Sequence, residues 1–224
     1  MSSLNPITVQ QKLMSTWQGK ALDTLGLLRI LNDKGTQPPI FWIFNSAHEP
    51  LSLANALGDD QPLIYSRSAH LLARSDENSI KIKQALVEYL LEQLSLRFSG
   101  TRFDMGTSCQ GSDIVMQLCV SSRAVGIETG RLCIINCSLP EIITDRPALL
   151  VYGQDDPRHN PFENNREKAI QRAEVVFSNY QKHVLSAMHG QYYNPSVLGE
   201  ILGEFASFHR SRWFDFFKTF STRS

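Results

Sequence analysis

The chain alternates short apolar runs with longer stretches in which apolar residues recur every three or four positions. Ile40-Phe41-Trp42-Ile43-Phe44 is apolar throughout, the pattern of a strand buried on both faces. Runs at 62–66, 103–106, 131–137, 147–153 and 182–188 read the same way, and 27–31 reads as an edge strand. Between them, residues 78–97 carry Ile82, Ala85, Leu86, Tyr89, Leu90 and Leu94 on one helical face. Asp76 or Asn78 suits its N-cap. Further helices are expected over 51–57, 111–121, 163–180 and 195–219. The last ends in an aromatic cluster, Trp213, Phe214, Phe216, Phe217 and Phe220, that suits packing or a partner surface. Residues 8–26 read as a polar helix outside the fold. Strands alternating with helices predict an α/β architecture, a mostly parallel sheet with helices on both faces. The expected division is an N-terminal helical extension at 1–26 and a domain at 27–224.

Composition narrows the function classes. Lys+Arg and Asp+Glu balance at 22 each, with no basic block, so neither nucleic acid nor an anionic membrane is an expected partner. No apolar run approaches the roughly 20 residues of a bilayer span, and the first residues lack the signature of a signal peptide. Cys109, Cys119, Cys133 and Cys137 include no CxxC pair, which argues against a zinc site or redox couple. Reduced thiols in the cytoplasm are the simplest expectation. No metal or cofactor is expected.

One stretch carries candidate chemistry. Phe103-Asp104-Met105-Gly106-Thr107-Ser108-Cys109-Gln110-Gly111-Ser112 runs from an apolar strand through small residues into a helical pattern. That is the arrangement of a nucleophile elbow, whose tight turn demands small neighbours. Two registers fit. With Ser108 as nucleophile, Gly106 lies two before it but Gln110 falls two after, where a small residue is expected. With Cys109, Thr107 precedes and Gly111 and Ser112 follow, and no position is violated. Cys109 is favoured and Ser108 is the alternative; a buried Cys is also commonly a small core hydrophobe.

Two further strand ends carry the partners such a nucleophile needs. Gly153-Gln154-Asp155-Asp156-Pro157 follows one apolar strand, and Met188-His189-Gly190 follows the last. Asp and Pro are common in turns for local reasons, and a lone His is usually a surface or packed residue, as expected of His48, His70, His159, His183 and His209. Nucleophile, acid and histidine at successive strand ends is nonetheless the chain order of the α/β-hydrolase triad. The expected roles are Cys109 as nucleophile, His189 as base and Asp156 as its orienter. An adjacent imidazole could hold the thiol as thiolate. An oxyanion hole would use the backbone N–H of Gln110 and, from the loop 45–48, that of Ala47.

Residues 28–41, Leu-Arg-Ile-Leu-Asn-Asp-Lys-Gly-Thr-Gln-Pro-Pro-Ile-Phe, resemble the opening of thioesterase domains from polyketide and non-ribosomal peptide synthesis. Tyr152-Gly153-Gln154-Asp155-Asp156-Pro157 is similar to that family's Gly-x-x-Asp acid loop, which selects Asp156 over Asp155. His189-Gly190 with Tyr192 and Tyr193 is similar to its histidine loop. The resemblance covers about 27–210. It implies an α/β-hydrolase fold and cleavage of an acyl thioester through a covalent acyl-enzyme. The partner would be an acyl or peptidyl carrier protein presenting the substrate on phosphopantetheine. Two departures stand out. The oxyanion loop reads Asn45-Ser46-Ala47-His48-Glu49 where the family has His-Pro or His-Gly and glycines. Only 138–146 lies where the family carries a helical lid, so the lid region is expected to be missing. The alternatives are a catalytically degenerate hydrolase fold used for binding, and a Cys-dependent small-ester or lactone hydrolase.

Overall fold

A computed structural model describes residues 5–72 and 76–208, with side chains outside the description at 76–78. The suggested Asp76 or Asn78 cap, His209 and the aromatic cluster at 213–220 therefore lie outside the described residues.

Eight strands form one sheet in the order β1-β2-β4-β3-β5-β6-β7-β8. They are β1 (Lys20–Ala21), β2 (Arg29–Leu31), β3 (Ile40–Phe44), β4 (Leu63–Arg67), β5 (Arg102–Ser108), β6 (Glu128–Ile135), β7 (Ala148–Gly153) and β8 (Tyr180–Leu185). From β4 to β8 every pairing is parallel, while β1 and β2 run antiparallel at one edge. Strands β3 and β7 are buried at every residue, as their unbroken apolar runs require of a sheet covered on both faces. Helices α2 (Glu49–Leu57) and α7 (Pro195–Ser207) pack together, and α1 (Pro6–Met14) and α4 (Ser112–Ser121) both pack on α3 (Asp76–Phe98). This is the α/β-hydrolase arrangement.

Two expectations need correction. The N-terminal helix stops at Met14 rather than continuing to 26. The chain then buries Met14 and Trp17 and enters the sheet at Lys20, ahead of Leu27, where the domain was expected to begin. The helix expected over 163–180 is two pieces, α5 (Pro161–Asn164) and α6 (Arg166–Val176). Asn165 breaks it with φ −156°, and its side chain caps α6 by accepting from the Lys168 N–H. The connection from β6 to β7, residues 136–147, contains no helix; its Thr144 bridges to Phe177. Among the described residues no helix is long and apolar enough to cross a membrane.

Candidate active site

Strand β5 ends at Ser108 in extended backbone (φ −122°, ψ 149°), and Cys109 then adopts φ +51°. A left-handed conformation costs a non-glycine residue about 1–2 kcal/mol, so the surrounding packing must hold it. Gly111 shows how. A Cβ there would lie 2.1 Å from Thr107 Oγ1 and 2.8 Å from Ile43 Cγ2, so the chain closes to this distance only with glycine. Cys137 adds a bond from below, its Sγ donating to the Cys109 carbonyl at 2.9 Å. Cys109 thus stands at the tip of the turn between β5 and α4, half-exposed, while Cys119, Cys133 and Cys137 are buried.

Ser108 has a different environment. It is buried, and its Oγ accepts from Asn45 Nδ2 and from the Tyr193 hydroxyl, each at 3.2 Å. That hydroxyl accepts in turn from Trp42 Nε1 at 2.9 Å. Asn45 also donates to the Ser108 carbonyl at 2.8 Å and accepts from Ser68 Oγ at 2.7 Å. His70 Nδ1 lies 2.7 Å from the same Ser68 Oγ. Burial and the charge of Arg67 push His70 down, favouring its neutral ring. Neither Ser108 nor Cys109 is hydrogen-bonded to His189; all three line one cleft of about 220 Å³. Catalytic hydrogen bonds are often long before substrate binds.

The acid and the histidine come together across two strand ends. Of the two aspartates only Asp156 is buried. Its Oδ2 accepts from Asn136 Nδ2 at 2.9 Å and lies 3.4 Å from His189 Nδ1, and its Oδ1 lies 2.7 Å from His159 Nδ1. Burial works to raise the Asp156 carboxyl, but the bonds from His159 and Asn136 and the charge of the two histidines outweigh it and hold it below the ordinary range. The two tyrosines after His189 tie its loop down. Tyr192 accepts from the Gly153 N–H at 3.0 Å, while Tyr193 reaches β5 through Ser108.

The proposed oxyanion donors are placed differently. Gln110 lines the cleft, and its N–H bonds the Cys109 thiol. Ala47 lies on an exposed turn and is not among the cleft-lining residues. The backbone N–H groups of Asn45 and Ser46 both donate to Glu49 Oε2, at 2.8 and 3.2 Å. A carboxylate therefore occupies two of this loop's backbone donors.

Asn45, Glu49, His70, Asn136 and His159 were not singled out in the sequence. His159 had a local signal: an Asp-Pro-x-His spacing returns the imidazole to the carboxylate one turn earlier. Asn45 and Glu49 follow β3, His70 follows β4 and Asn136 follows β6, and none carries such a mark. A larger depression of about 710 Å³ lies at the opposite ends of the strands, among Pro38, Trp42, Arg131 and Phe205. It contains none of these groups.

Burial pushes the Cys109 thiol up, and the carboxylates of Glu49 and Asp156 add to this against the opposing Gln110 N–H. The resting group is a thiol, not the preformed thiolate that an adjacent imidazole was expected to hold. The protonated form is favoured by the fold, so the stability it contributes is present below the ordinary cysteine pKa and lost as pH rises through the raised one. Iodoacetamide is expected to label this one cysteine, with a rate still climbing at about pH 9, where an unperturbed thiol begins to level off. Intact mass against pH measures it, and a plateau at or below neutral pH would contradict the raised value.

No protein-family model matches the sequence, and no curated protein matches it significantly. Solved structures do. The NocB thioesterase domain, in covalent complex with a fluorophosphonate nocardicin G analog, superposes with a TM-score of 0.59 at 12% identity, covering 78% of this chain and 95% of that one. YbtT, a type II thioesterase from the yersiniabactin NRPS/PKS biosynthetic pathway, gives 0.58 at 11%, covering 80% and 96%. The four-domain nonribosomal peptide synthetase AB3403 gives 0.61 at 12%, covering 82% of this chain and 20% of that one. At these identities the likeness is one of fold.

Proposed function

We propose that the protein is a thioesterase-like enzyme that cleaves an acyl thioester through Cys109, His189 and Asp156. The observation that carries this reading is the left-handed Cys109 at the tip of the elbow, lining one cleft with His189, whose Nδ1 lies 3.4 Å from Asp156 Oδ2. The thioesterase names of the fold neighbours and the resemblance of residues 28–41 support the substrate class.

In this mechanism His189 Nε2 takes the Cys109 proton as sulfur attacks the thioester carbonyl. The Asp156 carboxylate stabilises the imidazolium. The Gln110 N–H receives the developing oxyanion. Collapse expels the leaving thiol, which recovers the proton from His189, and leaves a Cys109 thioester. Water, an alcohol or an amine then attacks that acyl group, with His189 again accepting the proton, and Cys109 leaves and recovers that proton as a thiol. A substrate carried on the phosphopantetheine of an acyl or peptidyl carrier protein suits a cleft with no helix in the 136–147 connection. The chemistry calls on no cofactor of the enzyme's own, and the cytoplasm is the proposed compartment.

Glu49 favours a second reading, a hydrolase fold used for binding, because its carboxylate holds the N–H groups of Asn45 and Ser46. Incubation with an acyl-phosphopantetheine thioester separates the two. The enzyme is expected to gain the mass of one acyl group at Cys109. Glu49→Ala is expected to form the adduct faster by about tenfold, since one freed oxyanion donor is worth up to about 10²–10³. A folded protein that gains no acyl mass in either form leaves the binding reading.

A further inference from the structure

His159 has no part in that mechanism, yet its ring shares one carboxylate with His189. The Nδ1 atoms of both rings face Asp156, at 2.7 Å from Oδ1 and 3.4 Å from Oδ2, and the rings lie 4.9 Å apart at 30°. A potential ligand atom from each of the three residues lies within 4.8 Å of the others. Tetrahedral zinc, with bonds of about 2.0–2.1 Å, sets its ligand atoms about 3.3 Å apart, and the two observed separations bracket that value. The carboxylate comes from a buried residue and both imidazoles are exposed, so an ion can enter from solvent without opening the fold.

Asn136 supplies a second, independent observation. It is 2% exposed and sits at φ +52° at the end of β6. Its Oδ1 is buried without a hydrogen-bond partner among the described residues, and leaving such an atom unsatisfied costs about 1–3 kcal/mol. Its Nδ2 faces both Asp156 Oδ2 and His189 Nδ1. Rotating the amide by 180° would set Oδ1 against the Asp156 carboxylate, which is tolerable only with a cation between them, and would bring Nδ2 to the unpartnered position.

We propose that Asp156, His159, His189 and the rotated Asn136 carbonyl form a binding site for a divalent transition metal of the zinc class. Imidazole and carboxylate donors suit such ions. Binding takes the Nδ1 lone pair of both neutral rings, and in each ring the proton that Nδ1 carried moves to Nε2 through solvent, so the single proton of His189 sits on Nε2. Given the base role proposed for His189, the bound metal switches acyl transfer off, because Nε2 can no longer accept the Cys109 proton.

The test reads metal binding, not turnover. Metal-free full-length protein is titrated with Zn²⁺ by calorimetry and with Co²⁺ by visible absorption. One equivalent is expected, with Co²⁺ showing the intense bands of a tetrahedral site. His159→Gln, with its fold checked by circular dichroism, is expected to weaken binding tenfold or more, and Asn136→Ala to weaken it severalfold. Cys109→Ser is expected to bind like the wild type. No saturable binding, unchanged affinity in His159→Gln, or a tenfold loss in Cys109→Ser would each overturn the site. An acyl adduct on Cys109 would be observed or not regardless of these results, so the two readings fail separately.

Discussion

Cys109→Ala is expected to lose the acyl adduct entirely, while Ser108→Ala keeps it at the wild-type mass. Loss of a nucleophile that works as a unit with its base costs about 10⁴-fold or more in turnover, so Cys109→Ala should fall at least that far. The contrast follows from the backbone. Cys109 occupies the left-handed tip of the turn, and Ser108 still belongs to the strand. Ser108 Oγ already accepts from Asn45 and Tyr193, and Ser108→Ala leaves that tyrosine hydroxyl without its acceptor. Such a loss costs about 1–3 kcal/mol of stability and removes no atom that attacks the substrate. An adduct that survives Cys109→Ala and disappears in Ser108→Ala would reverse the assignment.

Gly106→Ala is expected to destabilise the protein by about 2 kcal/mol, read as a lowered denaturant midpoint. The new Cβ would lie 2.1 Å from Trp42 Cζ3 and 2.4 Å from Cη2. The ring cannot easily withdraw. It stacks on Phe44 with centroids 6.2 Å apart, and its Nε1 bonds Tyr193. Overpacking of this kind costs about 1–3 kcal/mol, occasionally more, and the lower chain entropy of alanine returns about 0.4–1 kcal/mol. Displacing Trp42 also loosens Tyr193, and with it the histidine loop, so acyl-adduct formation should slow alongside. An unchanged midpoint would mean that the Trp42 ring moves freely and that neither Phe44 nor Tyr193 holds it in place.

The scaffold was legible because burial on both faces leaves a direct mark. Runs such as 40–44 and 147–153 have no polar position to confuse strand with surface helix. The elbow was legible for a steric reason: Gly111 is where only hydrogen fits. Asp156 and His189 followed from the rule that function gathers at the carboxyl ends of parallel strands. The finer site was hidden because its members meet only in three dimensions. Ser108 lies 63 residues from Asn45 and 85 from Tyr193 in the chain. Ala47 stands out only by its position in the loop after β3, and nothing in the local pattern shows Glu49 folding back on that loop. The N-terminal helix was overextended because a sparse apolar pattern does not show where the chain leaves a helix for a sheet edge.

The helix-free 136–147 connection has a consequence for the pace of the reaction. Where a lid closes over substrate, its opening often limits how quickly product leaves. In the proposed cycle no helix of that connection has to swing aside before the acyl product departs. On that proposal the slow event is expected to be the attack that discharges the Cys109 thioester. The lifetime of the intermediate would then depend on which acceptor reaches the cleft, and a choice between hydrolysis and transfer would be a matter of supply.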